Sequence, residues 1–261
     1  MLNAIRLYFG RVLARYLTKT IPYYRPFSVH DTSILRATLR PGDILLVEGN
    51  TRISKAIKYL TQSTWSHSAM YVGSIPAIAN RPAVADALIE AELRQGVNAV
   101  PLSKYRQFNT RICRPVGLTD TDRQSVCNFM THSIGKSYDL KNVTDLLRYL
   151  FPTPPVPVSL RRRMLALGSG DPTRAICSTL IAQAFQSIRY PILPKIERHT
   201  EIQQHSYAER ELLHIRHYSL FAPRDFDISP YFEVVKPTLK KGFNYKDLTW
   251  ARDYFSDSQT M

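Results

Sequence analysis

Cys177, Leu180, Ile181, Ala184, Phe185 and Ile188 recur at steps of three and four, which draws one continuous apolar face on a helix opening at the cysteine. Such a face must be covered, so the rest of the chain has to supply a layer to lie against it. The candidates come earlier, as short apolar or alternating runs at 44–47, 65–73, 87–92, 97–102 and 111–116. Brief connections between them predict an antiparallel meander. Leu39-Arg40-Pro41-Gly42-Asp43 is turn chemistry feeding the first run. Two further helices are expected. One is capped by Asn50 or Thr51, with Ile53, Ala56, Ile57 and Leu60 on a face; the other is capped by Thr119 or Asp120, with Val126, Phe129, Met130 and Ser133. Past Tyr190 and Pro191 the sequence reads as a short polar helix among aromatic, proline-broken segments. Strands followed by helices packed on them give an α+β fold class.

The length of 261 residues suits one sizeable domain with additions at its ends. Residues 1–38 read as an amphipathic helix and an extended linker, 39–230 as the main domain with a Pro/Arg-rich insertion at 152–174, and 231–261 as a C-terminal extension. Leu2, Ile5, Phe9, Val12, Leu13 and Tyr16 share a helical face broken by Arg6, Arg11, Arg15 and Lys19. That interrupted pattern is unlike a secretory signal. It describes a basic amphipathic helix that either docks on the protein's own core or lies on an anionic membrane surface. The net charge of +14 favours anionic partners without choosing among them. Three cysteines at irregular spacing make neither a disulfide framework nor a zinc site, and they point to a reducing, cytoplasmic setting.

Cys177 stands where a helix begins, and the partial positive charge there stabilises a thiolate. The competing reading is a small apolar filler, which is the usual fate of a buried cysteine. Cys113 on a strand and Cys127 within a helix lack that position and read as structural. On a strand, His67, Ala69, Tyr71 and Gly73 face one way, with Ser68, Met70 and Val72 facing the other. A histidine placed there can reach across a cleft to a thiol and accept its proton; it can equally be an ordinary hydrogen-bonded surface residue. Leu88, Glu90 and Glu92 share the other side of their strand from Ile89, Ala91 and Leu93. Either glutamate could orient His67, or both could be solvated. His199, His205, His214 and His217 show no zinc-binding arrangement, and no GxxxxGK or GxGxxG loop occurs, so neither a metal nor a nucleotide cofactor is expected.

The stretches RPGDILLV, SHSAMYVG, ALIEAELRQGV with PLSKY, KSYDL and ICSTLIAQAF occur in that order. In that order the chain resembles the circularly permuted branch of the NlpC/P60 papain-like superfamily, the YiiX/YaeF-like hydrolases. The resemblance runs from about residue 39 to about residue 188, and Ala222-Pro223-Arg224-Asp225-Phe226 is similar to the family's closing stretch. It implies an antiparallel sheet packed against the cysteine helix, with the histidine strand first. It also implies a triad of Cys177, His67 and Glu90, the last in preference to Glu92, with Tyr138 as an active-site neighbour. Ile176, where some relatives carry an aromatic, and the long 151–174 connection depart from the pattern. The expected activity is hydrolysis or acyl transfer at an amide or ester bond without a cofactor; the alternative is a catalytically silent module that binds a lipid or peptide. Expected partners are a lipid or peptide conjugate and an anionic membrane met through residues 1–20, at the inner membrane face. No nucleic-acid motif is present.

Overall fold

The computed structural model describes residues 15–21, 31–77, 82–92, 95–136, 176–203, 206–214 and 216–237, together with Tyr24, Pro26, Asn244 and Lys246. The turn at 40–43 is tied by Asp43, whose buried carboxylate accepts from the Arg40 N–H at 2.8 Å and from Arg114 Nε and Nη2 at 2.9 and 2.7 Å. Gly42 turns there at φ 91, a conformation that side chains resist. The chain then enters β1 (Ile44–Val47), whose four residues are all buried. Ile44 and Leu46 join the main core on one face, and Leu45 and Val47 join a second cluster on the other.

β2 (His67–Ile75), β3 (Val84–Glu92) and β4 (Gly96–Pro101) continue outward from β1 as antiparallel neighbours. The next strand, β5 (Thr110–Pro115), departs from the expected meander. It crosses back and pairs with the opposite edge of β1, giving the order β4-β3-β2-β1-β5. A strand apolar on both faces is a central strand, and its backbone groups need a partner on each side. β8 (Phe232–Val235) then pairs with β5, so residues read as a C-terminal extension instead complete the sheet. Phe232 explains why: its ring meets Phe185 at 5.3 Å, within the main core.

α1 (Thr32–Thr38) lies in the span read as a linker. Asp31 caps it by accepting from the Ser33 N–H at 2.8 Å, and Leu35 packs into the second cluster. Upstream, Leu17 is buried, the Ile21 N–H donates to the Asn50 carbonyl at 2.7 Å, and the Arg52 guanidinium stacks 4.0 Å over the Tyr16 ring. Residues 15–21 therefore dock on the protein; residues 1–14 lie outside the described span. α2 (Arg52–Thr61) is capped by Thr51, but Ser54, Ile57 and Thr61 form its buried line in place of the apolar face expected. Ser54 turns inward because Gly49 leaves room for it; a Cβ at residue 49 would collide with its hydroxyl.

α3 (Asp120–His132), capped by Thr119, and α4 (Ile176–Ser187) cover the main-core face of the sheet. Leu180, Ile181, Ala182, Ala184 and Phe185 of α4 are all buried. The expected polar helix beyond residue 190 is a hairpin, β6 (Lys195–Gln203) with β7 (Ser206–His214). Its four Glu, two Arg and one Lys favour a helix. Ile196, Thr200 and Ile202, however, fall at even steps and suit a strand. A short α5 (Pro223–Asp227), closed over Phe226, leads into β8.

Candidate active site

His67 opens β2 opposite Val47, the last residue of β1, so it stands at one end of the sheet. The approach to it is fixed on both sides. The Trp65 indole N–H donates to Asp227 Oδ2 at 3.0 Å, and Ser66 Oγ accepts from the Gly49 N–H at 2.9 Å. The alternation of β2 then turns Ser68 toward α4, where its Oγ lies 3.1 Å from Ser178 Oγ. Cys177 precedes Ser178, and its thiol is buried 4.0 Å from that hydroxyl. At this corner the strand end and the helix start place the His67 ring, and the N–H and hydroxyl of Ser68, close enough to Cys177 to act on its charge.

Glu90 completes the chain of contacts, with its Oε2 2.7 Å from His67 Nε2. An imidazole has two nitrogens, so Nδ1 is the one left for the thiol. Glu90 is only 1% exposed and not the solvated carboxylate that the alternation of β3 allowed. The 3-10 turn at Leu102–Tyr105 folds back over that face and buries it. From this turn, the Tyr105 hydroxyl donates to Glu90 Oε2 and the Lys104 ammonium to Oε1. Lys104 also reaches Glu92 Oε1 at 2.5 Å. The two glutamates therefore part: Glu90 meets the histidine, and Glu92, 34% exposed, holds the lysine.

The charges follow from these contacts. Burial opposes a thiolate at Cys177, but His67 and the Ser68 donors outweigh it and bring the thiol down to about 7. Burial likewise opposes the imidazolium, and Cys177 and Glu90 together raise His67 to about 10. Glu90 is pushed up by burial and pulled down further by His67 and Lys104, to about 2. The other thiols have only lesser partners, Arg111 for Cys113, and Arg123 and the Gly42 N–H for Cys127. Burial dominates both, driving Cys113 to about 12 and Cys127 to about 11.

Cys177, His67 and Glu90 are thus brought together, whereas Tyr138 and the 152–174 insertion lie outside the described residues. Ser68, Ser178, Lys104 and Tyr105 sit within the stretches SHSAMYVG, ICSTLIAQAF and PLSKY without a role legible there. Ser68 alone had a local signal, since it follows the histidine on a strand whose other face meets the cysteine helix. Among the described residues, no three His, Cys, Asp or Glu side chains gather as a metal site would require.

Residues 38–150 match the model of a family described as permuted papain-like amidase enzyme, YaeF/YiiX, C92 family. The chain is YaeF/YiiX-like. Its fold is the permuted papain-like α+β arrangement, with the histidine strand ahead of the cysteine helix. The matched segment of this YaeF/YiiX-like chain holds His67 and Glu90, and Cys177 lies beyond it. Among solved structures, metalloprotein YiiX from Escherichia coli O157:H7 aligns at 16% identity and a TM-score of 0.43, over 76% of this chain and 96% of that one. No curated protein matches the sequence.

Proposed function

We propose that the protein is a cysteine hydrolase that cleaves an amide or ester bond through an acyl-enzyme, with Cys177 as nucleophile, His67 as its acid and base, and Glu90 orienting the histidine. The observation that carries this reading is the Glu90–His67 hydrogen bond beside Cys177, together with a lowered thiol at Cys177 alone among the three cysteines.

His67 takes the Cys177 proton on Nδ1, and the thiolate attacks the substrate carbonyl carbon. The carbonyl electrons move to oxygen, where the Cys177 backbone N–H at the helix start donates to the oxyanion. The tetrahedral centre collapses as the carbon–nitrogen or carbon–oxygen bond breaks, and His67 gives its proton to the departing amine or alcohol. Water then yields a proton to His67 and attacks the thioester, which releases the acid and restores the thiol. Glu90 holds the imidazole in one orientation and balances its charge throughout.

A lipid or peptide conjugate fits a basic protein, and the amphipathic pattern of residues 1–20, of which 15–20 dock on the protein, leaves residues 1–14 to support action at an anionic membrane on its cytoplasmic side. Among the described residues no helix is long and apolar enough to cross a membrane. The test is turnover of fluorogenic short-chain amides and esters, with mass detection of the thioester. Wild type should accumulate acyl mass on Cys177, and Cys177→Ala should neither turn over nor acylate. Equal turnover by Cys177→Ala would refute the reading.

A further inference from the structure

A cleft of about 780 Å³ lies against β5, β8 and the C-terminal end of α2, sharing the Trp65–Asp227 pair with the approach to His67. Its position relative to the site follows from strand register. His67 pairs with Val47, and Val47 pairs with Thr110, which lines the cleft. Residues paired across antiparallel strands point to the same face, and neighbouring strands lie ~4.8 Å apart. Thr110 is therefore on the His67 face of the sheet, about 10 Å from it across two strands.

The lining is polar and basic. Lys58, Arg111, Arg224 and Lys236 stand against two acids, Glu48 and Asp227. Lys58 is paired with Glu48 at 2.9 Å and Arg111 with Asp227 at 2.6 Å, which leaves Arg224 and Lys236 with no acid of the lining to neutralise them. Arg224 is itself held in place, since its Nη1 donates to the Thr61 carbonyl at 2.8 Å. A second observation points the same way. Thr110 is 5% exposed, and its hydroxyl has no hydrogen-bond partner among the described residues. A buried hydroxyl without a partner is costly, and a turn of the Thr110 side chain about its Cα–Cβ bond would bring it to a ligand oxygen in the cleft.

We infer that this cleft receives an oxyanion group of the substrate, a carboxylate or a phosphate, about 10 Å from His67. The inference rests on the hydrolase reading for the word substrate; the anion site itself does not. Arg224 and Lys236 supply the charge, Thr110 a hydrogen bond, and Trp65, shared between the cleft wall and the approach to His67, links the two places.

The test reads binding and turnover separately. The chain has two tryptophans, and the Trp65 indole N–H, bonded to Asp227 in the cleft wall, is an NMR reporter assignable with Trp65→Phe. Glutarate and inorganic phosphate should each shift this signal saturably, and neutral glutaramide should not; whichever anion binds more tightly names the group. The double variant Arg224→Gln/Lys236→Gln should weaken that binding about tenfold or more, while Lys55→Gln on the exposed side of α2 should not. Thr110→Val should raise the melting temperature of the free protein and lower its anion affinity, because it removes the unpartnered hydroxyl. In turnover, a suberoyl anilide with a free terminal carboxylate should be preferred over its terminal carboxamide, and the double variant should erase that preference. Anion binding without any turnover would sink the reaction and leave the site standing. Equal shifts from glutaramide, unchanged anion affinity in the double variant, or a lowered melting temperature for Thr110→Val would overturn the inference.

Discussion

Glu90 Oε2 lies 2.7 Å from His67 Nε2, at a carboxylate that the protein has all but sealed from water. A buried charge is tolerated only when it is paired and hydrogen-bonded. Here His67, Lys104 and Tyr105 share that duty, and the imidazole gains a fixed orientation from it.

Glu90→Gln should therefore lower kcat by about 10²-fold or more, because the amide neither balances the imidazolium nor fixes its tautomer. Glu92→Gln should stay within a few-fold of wild type, since Glu92 is linked to the histidine only through Lys104 and Glu90. Steady-state kinetics on one amide substrate ranks the two, and the reverse ranking would move the assignment to Glu92.

The thiols should separate by pH. Alkylation of Cys177 by iodoacetamide should rise through about pH 7 as its thiolate forms, while Cys113 and Cys127, at about 12 and 11, stay slow. His67→Ala removes the positive partner and leaves burial in command, so the Cys177 curve should move to higher pH. Activity should be greatest between about 7 and about 10: below that window the thiol is protonated, and above it His67 has lost the proton it gives to the leaving group. Mass mapping of alkylated peptides across pH checks the order.

Lys104 is a positioning residue. Its charge helps hold Glu90 ionised, and the same charge offsets part of the field that Glu90 exerts on His67. Lys104→Met should reduce kcat about tenfold and move the alkaline limb of the pH profile upward, because the imidazolium then faces a less compensated carboxylate. Lys104→Arg should restore most of both. An unshifted profile would reduce Lys104 to a structural prop.

What the sequence made legible, and what it hid, divides along the range of the interactions. The helix from Cys177 and the strands around β1 follow periodicity that any apolar face must obey. The crossing of β5 to the far side of β1 does not, because only the burial of Ile44–Val47 on both faces demands it. Cys177 and His67 carried recognisable local signals. Glu90 and Glu92 could not be told apart by alternation, since what separates them is a turn more than ten residues away that covers one and leaves the other at the rim. Residues 195–214 misled for a different reason: their composition suits a helix, and pairing with a partner strand overrides it.

Ending the chain after Pro230 should be far more harmful than removing an appendage. It deletes β8 and takes Phe232 from Phe185, Tyr190 and Phe226, whose rings it meets at 5.3, 5.6 and 5.7 Å. Losing a buried aromatic alone costs about 3–5 kcal/mol. The truncated chain should be largely unfolded or melt well below wild type by circular dichroism, and Phe232→Ala should fall between the two.

The most direct measurement is labelling of the intact protein with a thiol-directed acyl probe at neutral pH, followed by mass mapping, in wild type and His67→Ala. The account predicts acylation at Cys177 in wild type, little at Cys113 or Cys127, and near loss of the Cys177 label in His67→Ala. Labelling that ignores His67, or that falls equally on all three cysteines, would contradict it.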